Sequence, residues 1–144
     1  MFNAANQATI FLPMLVIVLL TFLAFLRMGA ARGAAMKAGQ DPTYYRVYQG
    51  SPEPDATIAA VRHYGNLFEL PTIFYGACLS LFVLGAVTKW SLVFAWIYVV
   101  ARLLQSSIHL SYNNPAHRGG AFVLGVLFTF ALWVQVALAV FART

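Results

Sequence analysis

Two things are scarce in this 144-residue chain: cysteine and charge. The single cysteine, Cys78, excludes an intrachain disulfide and any metal site built on cysteine pairs. Charged residues make up 9% of the chain, against about 25% in an ordinary soluble domain. Hydrophobic residues reach 61%. This balance excludes an ordinary soluble enzyme and a disordered chain, and it points to lipid as the main solvent. Internal repeats, a nucleophile elbow and a phosphate-binding glycine loop are also missing from the sequence. The nine Lys and Arg leave a net charge of +5 but are spread thinly, so no nucleic-acid partner is expected.

What the chain does have is long apolar runs. Crossing the hydrocarbon takes about 20 apolar residues as a helix. Four stretches qualify, at about residues 9–28, 56–88, 90–112 and 118–142. They are too long and continuous for barrel strands, so helices satisfy their backbone. The expected fold is an all-α membrane protein, with residues 1–144 forming one four-helix transmembrane unit. The first run has no basic segment before it and is long for a signal peptide, so it reads as a span.

The connections carry their own signals. A polar loop is expected at about residues 29–55, ending in Pro52-Glu53-Pro54-Asp55, with Asp55 placed to cap the second helix. Pro71 should bend that helix and free backbone groups near Leu67. Thr88-Lys89 makes the second connection very short, and Asn113 to His117 reads as a turn. Arg27, Arg32, Lys37, Arg46, Arg62 and Arg118 flank the first and third connections, while Lys89 and Arg143 lie on the other side. The positive-inside rule then places both termini outside the cytoplasm, which in a bacterial inner membrane is the periplasm.

The polar residues within the spans carry the functional information, because an ionisable group at the centre of a span costs about 2.5–3.5 kcal/mol. Arg62, Asn66 and Glu69 share one helical face, as do Arg102, Gln105 and His109. At about 1.5 Å per residue, Glu69 and Arg102 fall at similar depth, about 20 Å and about 15 Å from the basic side. A buried ion pair between them is expected. Arg62, His109 and Arg118 then exceed the available carboxylates, and surplus positive charge in a partly dry cleft suits an anionic ligand. His63 and His117 read as solvated residues at the membrane surface. The three histidines have no local carboxylate at ligand spacing, so no metal is expected. Tyr44, Tyr45 and Tyr48 can pack over the cleft or lie among the headgroups.

The stretch Arg62-His63-Tyr64-Gly65-Asn66-Leu67-Phe68-Glu69-Leu70-Pro71 resembles a signature of the MAPEG family, the membrane-associated proteins in eicosanoid and glutathione metabolism. Arg102, the His109 and Tyr112 region, and Arg118 resemble that family's second motif, in a pattern closest to the bacterial branch. The resemblance implies a left-handed four-helix bundle assembled as a homotrimer. It also implies glutathione as cosubstrate, held by Arg62, Asn66, Glu69, Arg102, Gln105, His109 and Tyr112, with Arg118 stabilising the thiolate as the catalytic residue. Gly65 and Phe122 stand where eicosanoid-forming members carry Arg and Tyr, so eicosanoid synthesis is not expected.

Two functions follow from this reading. One is a glutathione-dependent transferase or peroxidase acting on lipophilic electrophiles that partition from the bilayer. The alternative is a non-catalytic membrane protein that keeps the bundle as a lipid-binding module or an accessory subunit. The expected orientation is testable in either case. After Cys78→Ala, a cysteine placed by Gln40→Cys should stay unlabelled by an impermeant thiol reagent in intact cells. Labelling from outside would reverse the topology.

Overall fold

The computed structural model describes residues 4–144. A short helix α1 (Ala4–Gln7) and one turn of 3-10 helix (Ala8–Ile10) lead into α2 (Phe11–Lys37). Then come α3 (Tyr44–Val47), α4 (Asp55–Asn66), α5 (Leu70–Val83), α6 (Lys89–Leu110) and α7 (Pro115–Phe141). Among the described residues, four stretches are long and apolar enough to cross a membrane: Ala8–Lys37, Asp55–Val83, Lys89–Leu110 and Pro115–Phe141. The described residues contain no strand. The all-α, four-span fold expected from the apolar runs is therefore present, with α4 and α5 together making the second span.

The helix α2 extends beyond the apolar run. Residues 29–37, expected in a loop, are helical, because the segment is rich in alanine, the best helix former. Gly39 ends it with φ of 98°, and the N–H groups of Gly39 and Gln40 close back on the carbonyls of Met36 and Ala35, a Schellman stop. The remaining loop folds against this extension. Arg32 Nε lies 3.4 Å from Glu53 Oε1, its Nη2 donates to the Tyr48 hydroxyl at 3.3 Å, and its guanidinium sits over the Tyr45 ring. Tyr44 packs edge-on against both Tyr45 and Tyr48, so the tyrosine cluster wraps Arg32. Asp41 accepts from the Thr43 hydroxyl and from its backbone N–H, which hold its carboxyl below the ordinary carboxylate range. Asp55 is the first residue of α4 and not its cap. Pro54 takes the cap position, and its carbonyl accepts from Thr57 and Ile58. Asp55 still favours the helix from its first turn through the dipole.

The core forms where α5, α6 and α7 meet. Phe74 of α5 stacks on Tyr98 of α6 with ring centroids 4.0 Å apart, and both are fully buried. Ala77, Cys78 and Ala95 supply the small side chains around that stack, and Gly125 lets α7 approach Tyr98 and Leu70. The most extensive helix pairing is α6 with α7. At the end opposite the basic loop, Gln7 uses its whole side-chain amide on one residue. It donates to the Val87 carbonyl at 3.2 Å and accepts from the Val87 N–H at 2.9 Å. Thr88 caps α6 through a reciprocal box with Ser91, and the Ser91 hydroxyl also donates to Gln135 of α7 at 2.5 Å. Outward positions such as Leu12, Phe22, Phe130 and Leu138 stay exposed along the apolar belt.

Removing the stacked ring tests this core. Phe74→Ala should cost about 3–5 kcal/mol, the range for truncating a buried phenylalanine. Thermal unfolding in detergent should show a large drop. An unchanged melting point would place the core elsewhere.

Candidate functional site

The second span breaks where the chain has proline. Pro71 has no N–H for the Leu67 carbonyl, and the helix stops at Asn66 and resumes at Leu70. Glu69 sits in the gap with φ and ψ of −86° and −93°, outside the helical region. The break that Pro71 implies is therefore real, and it leaves the Asn66 carbonyl without its usual helical donor. Arg102 takes it, with Nη2 donating at 2.7 Å. Its Nη1 donates to Gln105 Oε1 one turn further along α6. Arg102 is 2% exposed, so this is a buried cation served by a helix end and an amide.

That arrangement replaces the expected ion pair. Glu69 is exposed and makes no ion pair with Arg102 within 4 Å. Among the described residues the ion pair is Arg32 with Glu53. Depth along an unbroken helix brings the two charges together, but the break at Glu69 leaves its carboxylate at the cavity wall, out of contact with Arg102. The negative end of the α4 dipole and its orphaned carbonyl do the work assigned to the carboxylate.

On the other face of this pair lies a polar cavity of about 270 Å³, lined by Asn66, Glu69, Gln105, Pro115, Arg118, Gly119 and Phe122. Arg118 stands in the first turn of α7. Asn114 caps that helix through Oδ1, which accepts from the N–H groups of Ala116 and His117 at 2.9 and 3.2 Å. Arg118 Nη1 donates to Asn113 Oδ1 at 2.9 Å and to His109 Nδ1 at 3.0 Å. Its Nη2 and Nε groups have no hydrogen-bond partner among the described residues. Gln105 has its oxygen on Arg102, so its NH2 is the part left for the cavity. An apolar cavity of about 410 Å³ flanks the same break from the α2 side, lined among others by Phe22, Phe25, Tyr64, Phe68 and Tyr75.

Arginines and amides thus gather around a broken second span. The profile of the MAPEG family matches residues 10–138. The chain belongs to the MAPEG family. No curated protein and no solved structure matches it.

Four of the candidate residues of this MAPEG protein converge on the polar cavity: Asn66, Glu69, Gln105 and Arg118. The other four stand apart from it. Arg62 is exposed on α4. Arg102 is buried behind Gln105 and Asn66. His109 is 3% exposed, with both ring nitrogens engaged within the chain, Nε2 on the Ala59 carbonyl at 3.1 Å and Nδ1 on Arg118. Tyr112 is exposed and its hydroxyl pairs with His117 Nδ1 at 3.0 Å. His117 is exposed, as expected, but His63 is buried at 4% exposure against His109, with ring centroids 5.5 Å apart. Asn113 and Pro115 were not singled out by the sequence reading. The turn signal was there, and the signal for Asn113 is its position five residues before Arg118.

The two views of Arg102 differ measurably. Gln105→Leu removes an acceptor from a buried guanidinium and should destabilise the protein by about 1.5–3 kcal/mol. Glu69→Gln removes no hydrogen bond of Arg102, only the longer-range field of an exposed carboxylate, and should cost less than about 1 kcal/mol. Unfolding curves in detergent decide the matter. A strong loss for Glu69→Gln would restore the ion pair.

Proposed function

We propose that this protein is a glutathione-dependent membrane transferase or peroxidase acting on lipophilic electrophiles. The observation that carries the reading is Arg118. It is anchored by Nη1 alone, lines a polar cavity, and sits in the first turn of a 27-residue helix whose dipole also favours an anion. Glutathione is a tripeptide with carboxylates, an ammonium group, peptide amides and a thiol. Arg118 suits the thiolate, Glu69 the ammonium, and the Asn66 and Gln105 amides the peptide groups. One guanidinium does not serve the carboxylates as well, which fits the homotrimer of the family resemblance, where neighbouring subunits share the cleft. The apolar cavity on the α2 side supports a cosubstrate drawn from the bilayer. We place both termini in the periplasm of a bacterial inner membrane, with the cavity toward the cytoplasm.

The chemistry asked of Arg118 is modest. A free thiol ionises near pH 8.5, so little thiolate exists at neutral pH. Lowering that value to about 6.5 would make most bound glutathione thiolate and corresponds to about 2.7 kcal/mol of differential stabilisation. The thiolate then attacks the electrophile and a carbon–sulfur bond forms as the leaving group departs.

Millimolar glutathione mixed with the protein in detergent should show excess thiolate absorbance in the ultraviolet. It should react with an aryl chloride or a lipid hydroperoxide faster than glutathione alone. Arg118→Ala should abolish the extra thiolate with the fold intact. Absence of both binding and thiolate in the parent would sink the enzyme reading and leave an accessory or lipid-binding role.

A further inference from the structure

The hydrogen bonds of His109 leave one protonation state open to it. Its Nε2 faces the Ala59 carbonyl at 3.1 Å, and a carbonyl can only accept, so Nε2 carries the proton. Its Nδ1 faces Arg118 Nη1 at 3.0 Å, and a guanidinium can only donate, so Nδ1 must be the bare acceptor. Both contacts are met by one neutral tautomer. The other neutral tautomer would face a lone pair to the carbonyl and an N–H to the guanidinium. An imidazolium would keep the first contact and turn the second into opposed donors.

The ring has little freedom to depart from this pose. It is 3% exposed, and the His63 ring of α4 packs against it. Ala59 and His63 lie one turn apart on α4, His109 is on the last turn of α6, and Arg118 is on the first turn of α7. Three helices are thus tied through one imidazole, directly behind Arg118 of the cavity lining.

We propose that His109 is the positioning residue of Arg118: its neutral imidazole, pinned to α4, holds the guanidinium by the Nη1 edge and leaves Nη2 and Nε for an anion in the cavity. Asn113 Oδ1 takes the second Nη1 hydrogen from the α6–α7 turn, so the two acceptors together define the plane of the group. An arginine with all its donors in solvent samples many rotamers, whereas one held at a single nitrogen presents a fixed pair of donors to its ligand. His109 accordingly acts on the ligand through Arg118 and does not touch it. The proposal rests on the thiolate reading for its consequence in catalysis, but its geometric content does not depend on glutathione.

The experiment has a glutathione-free arm and a kinetic arm. In the first, the protein carries 15N-labelled histidine in detergent, with His109→Asn used to assign the His109 signals. The expected spectrum at neutral pH has a pyridine-like Nδ1 and a pyrrole-like Nε2, and Arg118→Ala should move the Nδ1 signal. The opposite tautomer, an imidazolium, or an Nδ1 indifferent to Arg118→Ala overturns the proposal, whatever glutathione does. In the second arm, His109→Phe keeps a ring and loses both contacts. It should lower kcat for thiol conjugation about tenfold, in line with loss of a hydrogen bond to a charged group, while KM for glutathione changes less than about threefold. His109→Asn places an oxygen where Nδ1 was and should recover kcat to within about threefold of the parent, which a merely packing role would not produce. Parent-like kcat in His109→Phe overturns the positioning role. Should the parent show no thiolate at all, the enzyme reading falls, and the spectrum alone decides the positioning of Arg118.

Discussion

The contact between the Arg102 guanidinium and the Asn66 carbonyl is the constraint on which the polar half of the bundle depends. A charge that is 2% exposed inside an apolar bundle needs acceptors, and the chain supplies them by breaking a helix. Pro71 forbids the continuous ladder, the carbonyl at the end of α4 is released, and the cation completes that end. The helix dipole adds its negative pole to the same point. A broken transmembrane helix is tolerated where neighbours satisfy the freed groups, and here the neighbour is an arginine on α6.

The same contact shapes the cavity. Gln105 turns its oxygen to Arg102, and its nitrogen is what remains for the cavity side. Asn66 gives its carbonyl to Arg102 while its residue lines the cavity with Glu69. Arg102 thus stands behind the site and orders its wall, whereas Arg118 stands in front of it. The two arginines differ in what holds them. One is fixed by a helix end and an amide, the other by a histidine and an asparagine that leave most of its donors unpaired.

Much of this was legible in the chain. Apolar run lengths give the four spans, and the one-face spacing of Asn66, Glu69, Arg102 and Gln105 gives the neighbourhood of the cavity. Pro71 announces the break. What the sequence hid follows from the break itself. Depth counted along an unbroken helix puts Glu69 opposite Arg102, but a gap with non-helical angles at Glu69 leaves that side chain at the cavity wall, out of contact with Arg102. His63 reads as a surface residue until α6 brings His109 against it. Composition misjudged Gly29 to Lys37, because charge and glycine suggested a loop, whereas alanine content and the Arg32 anchorage to Glu53 keep it helical. These are tertiary effects, set by partners far away in sequence.

Asn113 performs two tasks that are seldom asked of one residue. Its backbone adopts φ of 46° where α6 turns into α7, and its side chain accepts from Arg118. Glycine meets the first demand easily and the second not at all. Glutamine could offer an acceptor, but it meets a steric penalty in the left-handed region. Asparagine and aspartate combine a short polar side chain with tolerance for that conformation. The position therefore has almost no neutral neighbours in sequence space. Replacement by any residue other than aspartate therefore strains the α6–α7 turn or releases Arg118, so the turn geometry and the hold on the guanidinium are linked through one side chain.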